Sequence, residues 1–139
     1  MTPLACLVAA IFFEARDQPL LGMEMVAQVV MNRVEHPRYP DDVCGVVYDP
    51  YQFSFANGGH PKVKSFKAPD DRRAAKMARE VASRFLGGDT VGLTSTHYHT
   101  ASVSPWWKYK VRSTPPYGLV FTLDGRVGDH IFYTCSDYC

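Results

Sequence analysis

Three groups of residues in this chain of 139 have types and spacings suited to chemistry. Glu14 stands at the edge of an apolar helical pattern, beside Phe12 and Phe13. A carboxyl there loses hydration, and desolvation raises its pKa toward that of a general acid near neutral pH. The same pattern fits a surface glutamate paired with Arg16 or Arg33, and pattern alone favours that pairing. The second group is His97-Tyr98-His99 with His130. On a strand, His97 and His99 share a face and could converge on a metal or a substrate oxygen. Three histidines and a water would make an open zinc site, although hydrogen-bonded or substrate-contacting histidines are the commoner outcome of such spacing. The third group is Gln52-Phe53-Ser54 together with Tyr98, Trp106, Trp107 and Tyr109. Aromatic faces beside amide and hydroxyl groups suit a sugar ring, as they also suit core packing.

The elements that must position these residues are legible in outline. Thr2-Pro3 reads as an N-cap and a first-turn proline. Leu4, Leu7, Val8, Ile11 and Ala15 then form one buried stripe, with Glu14 about 80° from its middle. Met23, Val26, Ala27, Val30 and Val34 mark a second helix ending before His36-Pro37, and the short link predicts neighbouring helices. Cys44 to Tyr48 is a short apolar piece, and Tyr51 to Pro61 reads as an exposed loop. A third long helix is capped by Asp70 or Asp71, buries Ala74, Met77, Ala78, Val81 and Phe85, and stops at Gly87-Gly88. Leu93–Thr100 alternates like a strand. Leu119–Leu123 and Asp129–Thr134 read as a hairpin around the turn pair Asp124-Gly125. Helices first and strands later predict a single α+β domain over residues 1–139, its helices packed against a small antiparallel sheet.

Composition narrows the function classes. A formal charge of +1 argues against a dedicated nucleic-acid binder. The longest apolar stretch, Leu4 to Phe13, is too short for a bilayer, which needs about 20 residues. Residues 61–90 nevertheless carry eight Lys/Arg against four Asp/Glu, a solvated helix face or a contact for an anionic polymer. Cys6, Cys44, Cys135 and Cys139 show no C-x-x-C spacing, so one or two disulfides and four small buried hydrophobes are equally open. The first residues show no basic n-region or cleavage site, so no secretory signal is visible. That fits a phage-released enzyme or a piece of a longer secreted one.

In order along the chain, Phe13-Glu14-Ala15-Arg16, Pro19, Gly22 and Val26 to Arg33 resemble the opening of the SleB/CwlJ cell-wall hydrolase family. The likeness continues at Cys44 to Tyr48 and Gln52-Phe53-Ser54. It resumes at Thr96-His97-Tyr98-His99, Val103 and Pro105-x-Trp107, and closes at Gly128-x-His130-x-Phe132-Tyr133. The resemblance implies a lysozyme-like fold and cleavage of the β-1,4 bond between N-acetylmuramic acid and N-acetylglucosamine in peptidoglycan. It places the catalytic acid at Glu14, which reverses the balance struck on pattern alone. Asp17 departs from the family's usual glycine. It puts a second carboxylate one turn from Glu14 if the helix persists. Thr114 to Arg126 looks longer than the family's link.

The leading reading is a lytic transglycosylase that needs no cofactor, with Glu14 as its one catalytic carboxyl. Gln52, Ser54, His97, Tyr98, His99 and Trp107 are assigned to the substrate. An inverting hydrolase would need a base about 6.5–9.5 Å from the acid, for which Asp17 and Asp129 are the candidates. The rivals are a zinc amidase with His97, His99 and His130 as ligands, and a non-catalytic glycan-binding module. The expected partner is the peptidoglycan glycan strand at the bacterial wall, met by a monomer without nucleic-acid binding or membrane insertion.

Overall fold

Helix α1 (Pro3–Ala15) begins where Thr2 accepts a hydrogen bond from the Ala5 N–H at 3.1 Å and Pro3 occupies the first turn. A computed structural model describes residues 1–50, 52–57, 59, 68–105 and 121–135. Eight residues of α1 are buried, among them Cys6, Leu7, Ile11 and Phe12, because α2 (Leu20–Glu35), α3 (Val43–Val47) and α4 (Pro69–Leu86) all pack on it. The single stripe expected from the sequence is therefore too narrow: α1 is enclosed on most sides. Leu4, at its open end, is 43% exposed. Each large apolar side chain so enclosed contributes about 1.5–3 kcal/mol.

The Asp42 side chain caps α3 by accepting from the Gly45 N–H at 2.7 Å. A disulfide joins Cys6 of α1 to Cys44 of α3, whereas Cys139 lies outside the described residues. The loop after α3 is less exposed than expected. Phe53 is buried in the main core, ahead of a 3-10 turn at Ser54–Ala56. In α4, Ala74, Ala75, Ala78, Val81, Ala82 and Phe85 face the core. The cap position is Ala68, and Asp70 and Asp71 fall inside the first turn. There they still favour the helix through its N-terminal dipole. None of the described helices is long and apolar enough to cross a membrane.

Among the described residues the sheet has three antiparallel strands in the order β1-β3-β2: β1 (His97–Thr100), β2 (Phe121–Val127) and β3 (His130–Cys135). Two expectations change here. The first strand is shorter than Leu93–Thr100. The hairpin turns at Gly128-Asp129, not at Asp124-Gly125, which lies inside β2. Leu123 pairs with Tyr133 and Gly125 with Phe132, so Asp124 is the extra residue of a bulge, with Gly125 at φ 143°. The Asp124 carboxylate accepts from the Ser95 and Thr134 hydroxyls at 2.6 Å each, which satisfies the interruption. One face of the sheet carries Tyr98 and Phe132 against Met25 and Val29 of α2. The other carries Phe121, Tyr133 and the rings of His97 and His99.

Candidate active site

Glu14 lies one residue before the end of α1 and is half-buried. It borders a cavity of about 350 Å³ that Asp17, Gln18, Thr100, Asp129 and His130 also line. Burial raises its pKa above the ordinary carboxyl value, while the Tyr98 hydroxyl and the positive charge of Arg33 pull it back down. Desolvation is the strongest of the three, so the protonated acid persists to higher pH than on an exposed glutamate. The Tyr98 hydroxyl is buried and has no other partner among the described residues. Its approach to Glu14 falls short of an aligned hydrogen bond. Burial and the Glu14 charge together hold the Tyr98 phenol well above its ordinary pKa. It is a neutral O–H donor whose natural acceptor is the carboxylate that Glu14 becomes after giving up its proton.

Arg33, 5% exposed, is the charge behind the site. Its Nε donates to the Thr96 carbonyl at 2.8 Å and its Nη1 to Gln52 Oε1 at 3.4 Å. The guanidinium lies over Tyr39 at 5.0 Å and Phe53 at 5.4 Å. Among the described residues no carboxylate forms a salt bridge with it, so its field acts on Glu14. The sequence pattern offers Arg33 as a surface partner of Glu14 and as the last residue of the family-like segment, whereas the structure buries it. The usable signal was its place three residues after Val30 and seven after Val26, on the face of α2 turned to the core.

Strand alternation separates the other candidates. Tyr98 and His130 share one face, with ring centroids 5.0 Å apart. His97 and His99 point to the opposite face. His99 stacks on Tyr133 and meets its hydroxyl at 2.9 Å through Nε2. His97 packs edge-on against Phe121 and lies 3.4 Å from the Tyr39 hydroxyl. The three-histidine zinc arrangement therefore does not form: His130 is turned away from the pair by the pleat of the sheet. Among the described residues no group of three or more His, Cys, Asp or Glu side chains is placed to hold a metal ion.

Gln52 is exposed apart from its contact with Arg33, and Ser54 is exposed in the 3-10 turn. Trp106, Trp107 and Tyr109 lie outside the described residues, as does most of Thr114 to Arg126. Asp17 does reach the cavity of Glu14, but α1 ends at Ala15, so it does so from the link and not from a continuing helix.

Burial, with the charges of Arg33 and His36, pushes His97 down to about 3. The fold accommodates only the neutral ring. The unfolded chain takes up this proton below about pH 6.5, so His97 withdraws stability as the pH falls from there toward 3. Urea titrations at several pH values check this: His97→Gln should flatten the acid-side decline, and an unchanged slope would refute it.

A family model described as Cell Wall Hydrolase matches residues 17–133. The match starts after Glu14 and does not include that residue. The chain is 28% identical over 123 residues to a spore cortex-lytic enzyme of Halalkalibacterium halodurans, covering 88% of this chain and 32% of that protein. It is 38% identical over 98 residues to a spore cortex-lytic enzyme of Bacillus cereus, covering 70% of this chain and 35% of that one. The chain thus spans about a third of the length of these relatives. Among solved structures, the catalytic domain of the germination-specific lytic transglycosylase SleB from Bacillus anthracis superposes with a TM-score of 0.69. That match is 22% identical and covers 95% of this chain and 93% of that one. The SleB catalytic domain of Bacillus cereus superposes with a TM-score of 0.63, also at 22% identity. The fold is the α+β, lysozyme-like one that the motifs implied.

Proposed function

The chain belongs to the cell wall hydrolase family, and from that premise we propose that it cuts peptidoglycan glycan strands as a lytic transglycosylase. The bond is the β-1,4 link between N-acetylmuramic acid and N-acetylglucosamine, and Glu14 is the catalytic residue. One observation carries the reading: a half-buried carboxyl with a raised pKa at the rim of a cavity, backed by a neutral phenol and a buried arginine.

Protonated Glu14 donates to the glycosidic oxygen as the C1–O bond breaks and positive charge develops at muramic acid C1. The Glu14 carboxylate left behind then accepts a hydrogen bond from Tyr98. It takes the proton of the C6 hydroxyl as O6 bonds to C1, closing the 1,6-anhydro ring and restoring the acid. Atoms and protons balance without a second carboxylate. Gln52, Ser54, His97, His99 and Trp107 remain proposed contacts for more distant parts of the glycan. The place of action is the bacterial wall, where the protein works as a monomer. The chain's similarity to spore cortex-lytic enzymes supports the substrate class.

Mass spectrometry of digested peptidoglycan tests this reading: anhydro-muramyl ends are expected. New reducing ends would point to a muramidase, and freed stem peptides to an amidase. Tyr98 supplies a second check. Removing its hydroxyl takes away a donor to the carboxylate, so Glu14 keeps its proton longer. A hydrogen bond to a charged group is worth about 1.5–3 kcal/mol. Tyr98→Phe should therefore move the alkaline limb of the kcat profile upward by about one to two pH units. A limb that stays put or moves down would rule out this role.

A further inference from the structure

Gln18, in the link after α1, joins two parts of the chain that are 111 residues apart. Its Oε1 accepts from the Asp129 N–H at 2.8 Å, and its Nε2 donates to Asp129 Oδ2 at 3.0 Å and to Asp17 Oδ1 at 3.2 Å. The Asp129 carbonyl also accepts from the Ala101 N–H at 2.9 Å, beyond the end of β1. Asp129 is thus held at its N–H, its carbonyl and one carboxylate oxygen. The approach is close: Gly128 is at φ 57°, and a Cβ there would run into Gln18 Oε1 and reach 3.0 Å from Pro19 Cδ.

This clamp uses the Gln18 amide on both its oxygen and its nitrogen, yet among the described residues leaves the second Asp129 oxygen uncommitted. A carboxylate has about four acceptor sites, of which this one uses one. Among the described residues Asp129 has no cationic partner. An ordinary exposed aspartate is mobile and hydrated, whereas this one is immobilised at the rim of the cavity that Glu14 borders. Behind it stands His130, 3% exposed, whose ring lines the same cavity and whose Nδ1 has no hydrogen-bond partner among the described residues. A buried polar atom left unpaired forfeits its hydration without return. Such groups persist where a ligand or a function compensates.

We propose that Asp129, held by Gln18, and the His130 ring behind it form a sugar-positioning subsite beside Glu14, in which the Asp129 carboxylate accepts hydrogen bonds from hydroxyl groups of the bound glycan. Hydroxyl donors are the chemistry that a fixed acceptor selects, and a hexosamine ring carries them on both sides of the scissile bond. The acid does the chemistry; the subsite sets the ring against it, so its contribution falls on binding. Burial lowers the His130 pKa while the charges of Asp17 and Asp129 oppose that, and its imidazole reports on occupancy. Gln18 is a positioning residue that acts through Asp129. The subsite rests on the glycosidase reading above.

The test uses Asp129→Asn, which keeps an oxygen for Gln18 Nε2 and turns the free acceptor into an N–H donor. With soluble muramyl-glucosaminyl tetrasaccharide, KM should rise about tenfold, the cost of roughly 1.4 kcal/mol, with kcat within twofold. Gln18→Ala should raise KM in the same direction. An unchanged KM in both variants overturns the subsite. So does a large loss of kcat at constant KM, the signature of a base. Should Asp129→Asn fold poorly, NMR of the Glu14→Gln protein decides: tetrasaccharide must shift the His130 ring signals, and saturation without a shift refutes the proposal. Failure of the glycosidase reading would look different, as full turnover in Glu14→Gln.

Discussion

Glu14→Gln should lower turnover of purified sacculi by on the order of 10³-fold or more. General acid–base assistance contributes about 10²–10⁴, and here one group serves as both acid and base. Gln has nearly the same shape and still fills the rim between Phe12, Phe13 and Tyr98, so the fold should survive. Stability separates loss of chemistry from loss of structure. A carboxyl whose folded pKa is raised above its unfolded value opposes folding once the pH exceeds the unfolded value. The neutral amide removes that penalty, so the variant should melt at the same temperature or higher at pH 7, and its advantage should vanish near pH 4. A variant that melts higher and no longer cuts identifies the acid. Retained turnover would remove Glu14 from the mechanism.

The largest expected effect on stability lies at the other end of the same helix. The Cys6–Cys44 disulfide closes a loop across a sequence separation of 38. On the chain-entropy model, a closure of that size restrains the unfolded chain by about 4 kcal/mol. Cys6→Ala with Cys44→Ala should therefore lower Tm by roughly 10–20 °C in a chain of this size. Because Cys135 is disulfide-bonded as well, a reducing agent should bring the wild type down to the value of the variant in the same reductant. Cys6 is fully buried and joins α1 to α3, whereas Glu14 sits two turns further along. Activity at 25 °C should then survive in the double variant. Scanning calorimetry with and without reductant checks this, and a shift of less than about 2 °C would show that the bridge restrains little.

These two experiments probe features that the sequence announces unequally. Glu14 could be singled out because a carboxylate at the border of an apolar helical pattern is unusual, and because the motif around it is specific. The cysteines left one or two disulfides as open as four buried hydrophobes and named no pairing. Their pairing depends on how α1 crosses α3, a packing outcome that composition does not encode.

Local rules account for most of the helices. Thr2-Pro3 starts α1, Pro37 closes α2, and Gly87-Gly88 ends α4, because caps and breakers act within one turn of chain. The sheet was less legible. Asp124-Gly125 has the chemistry of a tight turn, yet cross-strand pairing carried β2 through it as a bulge and left the turn to Gly128-Asp129. Long-range pairing and burial outweigh a two-residue preference there.

The site divides along the same line. Residue type and helical period, which are properties of neighbours in the chain, mark Glu14 as a carboxylate at an apolar border; it takes the specific motif around it to make it the acid, and Tyr98 stands only among the aromatic candidates. Only the tertiary structure placed Tyr98 beneath Glu14 and sent His97 and His99 to the other face. Only it buried Arg33 behind the acid and tied Asp129 to Gln18 across 111 residues. Desolvation, charge coupling and strand pleat act through space, so their outcome is set when helices and sheet close on one another.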